Sequence, residues 1–268
     1  MKIKNILPRL SVGIFYRRRY LLGLLLILAH WHPTPVAAFA GRPPFHDGET
    51  LTYSLKWQGI EAGELVLKVL PMTKLDGAPV RHFVMQTRTS SLIDPFFKLR
   101  ERIESYTNPA MTRSLLYKKK KRGNSSKDIV VNFDWANNAV QYSNRGRKRA
   151  PVAVPEGSLD PLAVLYHYRS VEMLENSHLA VPVTDGKRWL MGEATILGRE
   201  TITLASGVYN TFRIEPDVSQ FGGIFKKSPN AKVQLWVTAD RRRIPVKISG
   251  RVCIGTIACE LVTQEASW

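Results

Sequence analysis

Cysteine is scarce in this chain: Cys253 and Cys259 are the two in 268 residues. Their Cys-x5-Cys spacing has no histidine pair beside it, so it is not a zinc signature. Long apolar runs are absent as well. The longest, Leu21 to Ala29, has nine residues between Arg19 and His30. A membrane-spanning helix needs about 20. Catalytic motifs are missing: there is no G-x-S-x-G and no phosphate-binding loop. His46, His82, His167 and His178 show no metal-binding spacing such as H-E-x-x-H. His167 shares a predicted helix with Asp160, but seven residues separate them by about two turns. No catalytic residue, metal ligand or cofactor site is read from the sequence, and a non-enzymatic role is the favoured reading.

Acidic residues are absent from positions 1–38, which carry Lys2, Lys4, Arg9, Arg17, Arg18 and Arg19. Charged residues, then an apolar run, then Pro33, Pro35 and small residues up to Ala38 spell a secretory signal peptide. Arg17-Arg18-Arg19-Tyr20-Leu21 also fits a twin-arginine export signal. Residues 39–268 are then the working domain, periplasmic or otherwise exported. Losing six positive charges takes the formal net charge from +17 to +11. Such a basic exported chain points to an anionic partner, although solubility alone also accounts for the charge.

Period-two alternation dominates what is present. Thr52 to Trp57, Gly63 to Leu70, Val80 to Thr89, Ile129 to Trp135, Ala139 to Asn144, Arg188 to Leu197, Glu200 to Leu204, Thr211 to Pro216, Ala231 to Thr238, Arg243 to Val252 and Thr256 to Thr263 read as strands. Turn pairs such as Asp76-Gly77 and Asn137-Asn138 separate them. The expectation is an all-β domain, an antiparallel barrel-like sheet, open or closed, in one or two sheet halves. A single mid-chain helix over about 160–176 starts at Asp160-Pro161, an N-cap followed by an N1 proline. Glu61, Gly63 and Glu64 read as a tight connection between strands.

Two basic clusters stand out. Lys118, Lys119, Lys120, Lys121 and Arg122 read as part of a 118–127 loop, and Arg145, Arg147, Lys148 and Arg149 end a later strand. If 128–135 and 139–146 form a hairpin, both clusters meet at one end of the sheet. They would there form a docking patch for anionic lipid or lipopolysaccharide. A solvated loop tip is the plainer alternative. Nucleic acid is disfavoured, because no aromatic residues interleave with the lysines. For Cys253 and Cys259, a disulfide requires the chain to turn near Gly255-Thr256. Six residues of strand span roughly 20 Å, and bridged Cα atoms sit about 5.5 Å apart. Two buried thiols on one strand face need no such turn.

Several segments carry a family resemblance. They are Phe45 to Tyr53, Trp57 to Gly63, Asp160-Pro161-Leu162-Ala163 with Tyr166 and Arg169, Trp236 to Val246, and Gly255 followed by Glu260-Leu261. Together they resemble the bacterial family catalogued as domain of unknown function 3108. The resemblance implies an exported, β-rich protein and no assigned activity. The W-x3-D-x4-P-V stretch is also similar to the last strands of periplasmic lipoprotein carriers, half-barrels that cover an apolar cavity. The functional expectation is a cell-envelope protein that binds an apolar or lipid-like ligand. The alternative is a structural or interaction module of the envelope with a protein partner and no small-molecule site.

Overall fold

A computed structural model describes residues 43–220, 231–252 and 255–265. The signal peptide expected over residues 1–38 lies outside them, as does Cys253.

The strands are β1 (Thr50–Trp57), β2 (Ile60–Leu75), β3 (Ala78–Thr89), β4 (Leu99–Thr107), β5 (Ser114–Gly123), β6 (Lys127–Asp134), β7 (Ala139–Asn144), and the two-residue β8 (Arg147–Lys148) and β9 (Val152–Ala153). After the helix α1 (Pro161–Arg169) come β10 (His178–Thr184), β11 (Trp189–Leu204), β12 (Gly207–Pro216), β13 (Lys232–Thr238), β14 (Pro245–Val252) and β15 (Gly255–Glu265). All the strand pairs are antiparallel and belong to one open sheet. Its order runs β10 to β15, then β1 to β8, with β9 on β7.

The sheet curls until its ends approach. Leu159 bridges Val183 of β10, with the Leu159 amide donating to the Pro182 carbonyl at 2.9 Å. One residue earlier, the Ser158 carbonyl accepts from the Ser114 amide of β5 at 3.1 Å. The β10–β11 turn closes in further along: a β-carbon on Gly186 would stand 2.6 Å from a methyl of Val131 in β6.

The single helix among the described residues seals one end of this curled sheet. Asp160 caps it, accepting from the Leu162 and Ala163 amides at 2.9 and 3.0 Å. The Ser105 and Ser114 hydroxyls donate to its other oxygen, both at 2.6 Å. Burial pushes the Asp160 carboxyl pKa up, against the pull of these donors. Tyr166 stacks on Phe83 with ring centroids 4.0 Å apart and meets Phe45 edge-on at 5.3 Å. Arg169 forms a buried two-pronged pair with Glu49 at 2.6 and 2.9 Å and donates to the Arg242 carbonyl at 3.1 Å.

The helix is shorter than the expected 160–176. It stops at Ser170, whose amide bonds back to the His167 carbonyl. The apolar residues that follow serve another surface: Val171 and Met173 are buried against Ile196, Phe212 and Ile214 of β11 and β12. The connection expected at Gly63 is also displaced. Gly63 lies inside β2, opposite Leu55 and Thr89, and the reversal falls at Gln58-Gly59.

Candidate functional site

The inner face of the sheet changes character along its length. Near the helix it is fully packed: Leu51, Tyr53, Phe83 and Tyr166 are buried. The Tyr53 hydroxyl is accommodated there by donating to the Pro245 carbonyl at 2.7 Å. At the opposite end, the rim, Leu55, Leu65, Met85 and Ile248 are only half-buried.

Strand register shows what surrounds those four. One inner row passes from Leu261 to Tyr53, Leu65, Thr87, Glu101, Lys121 and Lys127. The next row passes from Leu67 to Met85, Ile103, Lys119 and Ile129. The first row begins apolar on β15, β1 and β2 and becomes cationic on β5 and β6; the second is apolar at both ends, with Lys119 of β5 set between Ile103 and Ile129. Lys119 pairs with Glu101 at 2.9 Å. Lys187 approaches from the β10–β11 turn, 5.2 Å from the Tyr142 ring centroid and 3.7 Å from Asp185. Partial burial, then the positive fields of Lys187, Lys119 and Lys121, lower the Lys127 pKa. Lys119, Lys121, Lys127 and Lys187 thus stand near one another with two carboxylates, Glu101 and Asp185, among them, and the half-buried Leu65 and Met85 lie further along the same inner face.

The run 118–122 is strand, not loop. It continues β5, so its side chains alternate between faces. Lys119 and Lys121 point inward, whereas Lys118, Lys120 and Arg122 point outward. Lys120 and Arg122 line a shallow outer groove of about 630 Å3 with Lys68, Arg88, Arg100 and Arg102, beside Glu64 and Glu265. The second cluster comes to the same end of the sheet. Asn144 pairs with Ile129, the Arg145 amide donates to the Asp128 carbonyl at 2.8 Å, and Arg147 and Lys148 form β8. Arg149 turns back over the Tyr142 ring at 5.2 Å.

The remaining sequence candidates serve the scaffold. Cys259 sits between Leu55 and Ile248, and burial pushes its thiol up to about 11, so it is a poor nucleophile. His167 lies 3.2 Å from the Met111 carbonyl. Asp240 holds its turn by accepting from the Thr238 hydroxyl and the Arg242 amide. Pro245 starts β14 at a bulge opposite Val237. Among the described residues no group of three His, Cys, Asp or Glu could hold a metal ion.

Glu101, Lys127 and Lys187 escape a reading of the sequence. Each is a single charge whose significance comes from its strand partner or from the curl of the sheet. The direct signal for Lys127 was its place two residues before Ile129 in an alternating run.

The chain belongs to the family described as a protein of unknown function (DUF3108), whose profile matches residues 52–262. No curated protein matches it significantly in sequence. Among solved structures it is similar to a β-barrel-like protein of domain of unknown function DUF1849 from Brucella abortus. There the TM-score is 0.51 at 8% identity, covering 82% of this chain and 97% of that one. That likeness bears on the fold alone. A candidate exported protein of Bacteroides fragilis with a YmcC-like fold aligns at TM-score 0.32 and 9% identity, over 86% of this chain and 100% of that one. A candidate lipoprotein of Parabacteroides distasonis aligns at 0.29 and 10%, over 82% and 96%.

Proposed function

We propose that this is an exported cell-envelope protein without enzymatic activity that holds an anionic, lipid-like molecule at the rim of its curled sheet. One observation carries the reading: the inner rows that put Leu65 and Leu67 of β2 and Met85 of β3 in register with Lys119 and Lys121 of β5 and Lys127 of β6. An amphiphile needs that pairing, an apolar wall for its chain and cations for its head group. The helix end is packed, so the ligand would enter at the rim. The outward basic residues at the same end, Lys118, Lys120, Arg122, Arg145, Arg147 and Lys148, support docking on anionic membrane or lipopolysaccharide. The six positive charges and apolar run within residues 1–38 support export.

Native mass spectrometry of protein purified from its host without refolding, followed by lipid extraction, tests the ligand. A bound anionic amphiphile is expected, at lower occupancy in a Lys119→Gln, Lys121→Gln variant. Homogeneous ligand-free protein would instead support an interaction module of the envelope. For the docking surface, vesicle co-sedimentation should weaken as salt rises, because the Debye length falls from about 10 Å at 0.1 M to about 3 Å at 1 M.

A further inference from the structure

We propose that the β3–β4 loop, residues 90–98, inserts its apolar tip into an anionic lipid bilayer. This rests on the anionic docking surface above and names the element that enters the membrane. Leu92, Phe96 and Phe97 are 66%, 80% and 45% exposed. Single exposed apolar residues are ordinary; three on one short loop form a patch that asks for a partner.

The loop is built to hold them outward. The Ile93 and Asp94 amides donate to the Ser90 carbonyl, and the Phe96 and Phe97 amides donate to the Ile93 carbonyl, at 2.9 to 3.1 Å. Asp94, the loop's one acid, is turned back to the base. It accepts from the Thr89 hydroxyl at 2.6 Å and from both arms of Arg100 at 2.5 and 3.0 Å. These donors hold its carboxyl below the usual range. The tip therefore carries no outward negative charge. Around its base stand Lys98, Arg100, Lys121 and Arg122, with the Lys121 ammonium 5.9 Å from the Phe97 ring centroid.

The neighbouring turn extends the patch. The Ser90 amide donates to the Ala62 carbonyl at 2.9 Å, which sets this loop beside the β1–β2 turn. Trp57 and Ile60 there are 40% and 55% exposed. Aromatic rings at a membrane–water boundary, with cations at head-group level, are the residues such an interface favours. A protein partner fits less well. A narrow convex tip offers a handful of side chains, whereas a stable interface buries about 800 Å2 on each partner. Inserted this way, the loop also turns the lysine-lined rim toward the lipid from which a ligand would come.

The test uses the whole protein with phosphatidylglycerol-containing vesicles. In a Phe96→Trp variant, brominated acyl chains should quench fluorescence more than they quench the tryptophans already present. Phe96→Asp should weaken vesicle partitioning by about tenfold or more with an unchanged melting temperature, and Phe96→Leu should restore most of it. Salt-dependent co-sedimentation with no extra quenching would overturn insertion and leave the docking surface intact. No binding of any form to anionic vesicles would overturn both.

Discussion

Lys121 and Lys127 stand directly opposite each other on β5 and β6, both on the face that lines the interior. Like charges in cross-strand register are destabilising, by a few tenths of a kcal/mol when solvent screens them. A bound anion turns that repulsion into attraction. Lys127→Gln should therefore leave the ligand-free protein equally stable or raise its melting temperature by about 1 °C. The same change should weaken binding of an anionic amphiphile such as a fatty acid, measured by calorimetry. A lysine pair with no ligand role would show the first effect without the second.

The Glu49–Arg169 pair is fully buried and ties the lead-in to β1 to the end of the helix. Removing one partner strands the other charge, so Glu49→Gln should cost about 3–5 kcal/mol by chemical denaturation. Glu49→Leu combined with Arg169→Met should cost clearly less than the sum of the two single changes.

His167 provides a pH test. Burial lowers its pKa below the ordinary 6.5, the Met111 carbonyl pulling the other way. A histidine whose folded pKa is depressed contributes stability that is present above 6.5 and lost as pH falls through the folded value. Stability should fall on the acid side of pH 6.5, and His167→Gln should flatten that part of the profile in thermal melts taken at fixed ionic strength. An unchanged slope would show that other groups set the acid limb, His82 first among them, since burial lowers its pKa too.

Gly63 is held by backbone, not by a turn. A β-carbon there would sit 2.1 Å from the Arg88 carbonyl oxygen and 2.8 Å from the Thr89 α-carbon. Main chain in a central sheet cannot step aside as a side-chain tip can. Gly63→Ala should therefore destabilise by about 1–3 kcal/mol. Gly59→Ala, in the adjacent turn, meets open space and costs only the strain of its φ of 82°. Denaturant midpoints of the two variants separate these causes.

The all-β class, the hairpin that unites the basic clusters and the helix cap at Asp160 were legible in the sequence, because each rests on local pattern. The strands β4 and β5 were not. The inner face of β4 reads Leu99, Glu101, Ile103, Ser105, and that of β5 reads Tyr117, Lys119, Lys121. Polar residues at inward positions erase the apolar alternation by which strands are recognised. The lysine run looked like a loop for the reason that makes it interesting: its inward members line the candidate site. In the helix, Val171 and Met173 kept a helical spacing while packing on β11 and β12, a tertiary contact that no local pattern encodes. The rim itself depends on register between distant strands and on the curl of the sheet.

The pairing of β1 with β15 sets Thr50 against Glu265. Almost every other strand pair joins segments adjacent in the chain. By strand pairing the molecule is thus two meanders, β1 to β8 with β9 on β7 and β10 to β15, joined as a sheet at the β1–β15 seam. Closing that seam requires the longest loop in the fold, and its entropy is spent before the contact repays it. A circular permutant with residue 265 joined through a linker to residue 43, which keeps Phe45 and Glu49, and opened between α1 and β10, would make the seam local. It should refold faster than the natural order by stopped-flow, with little change in equilibrium stability.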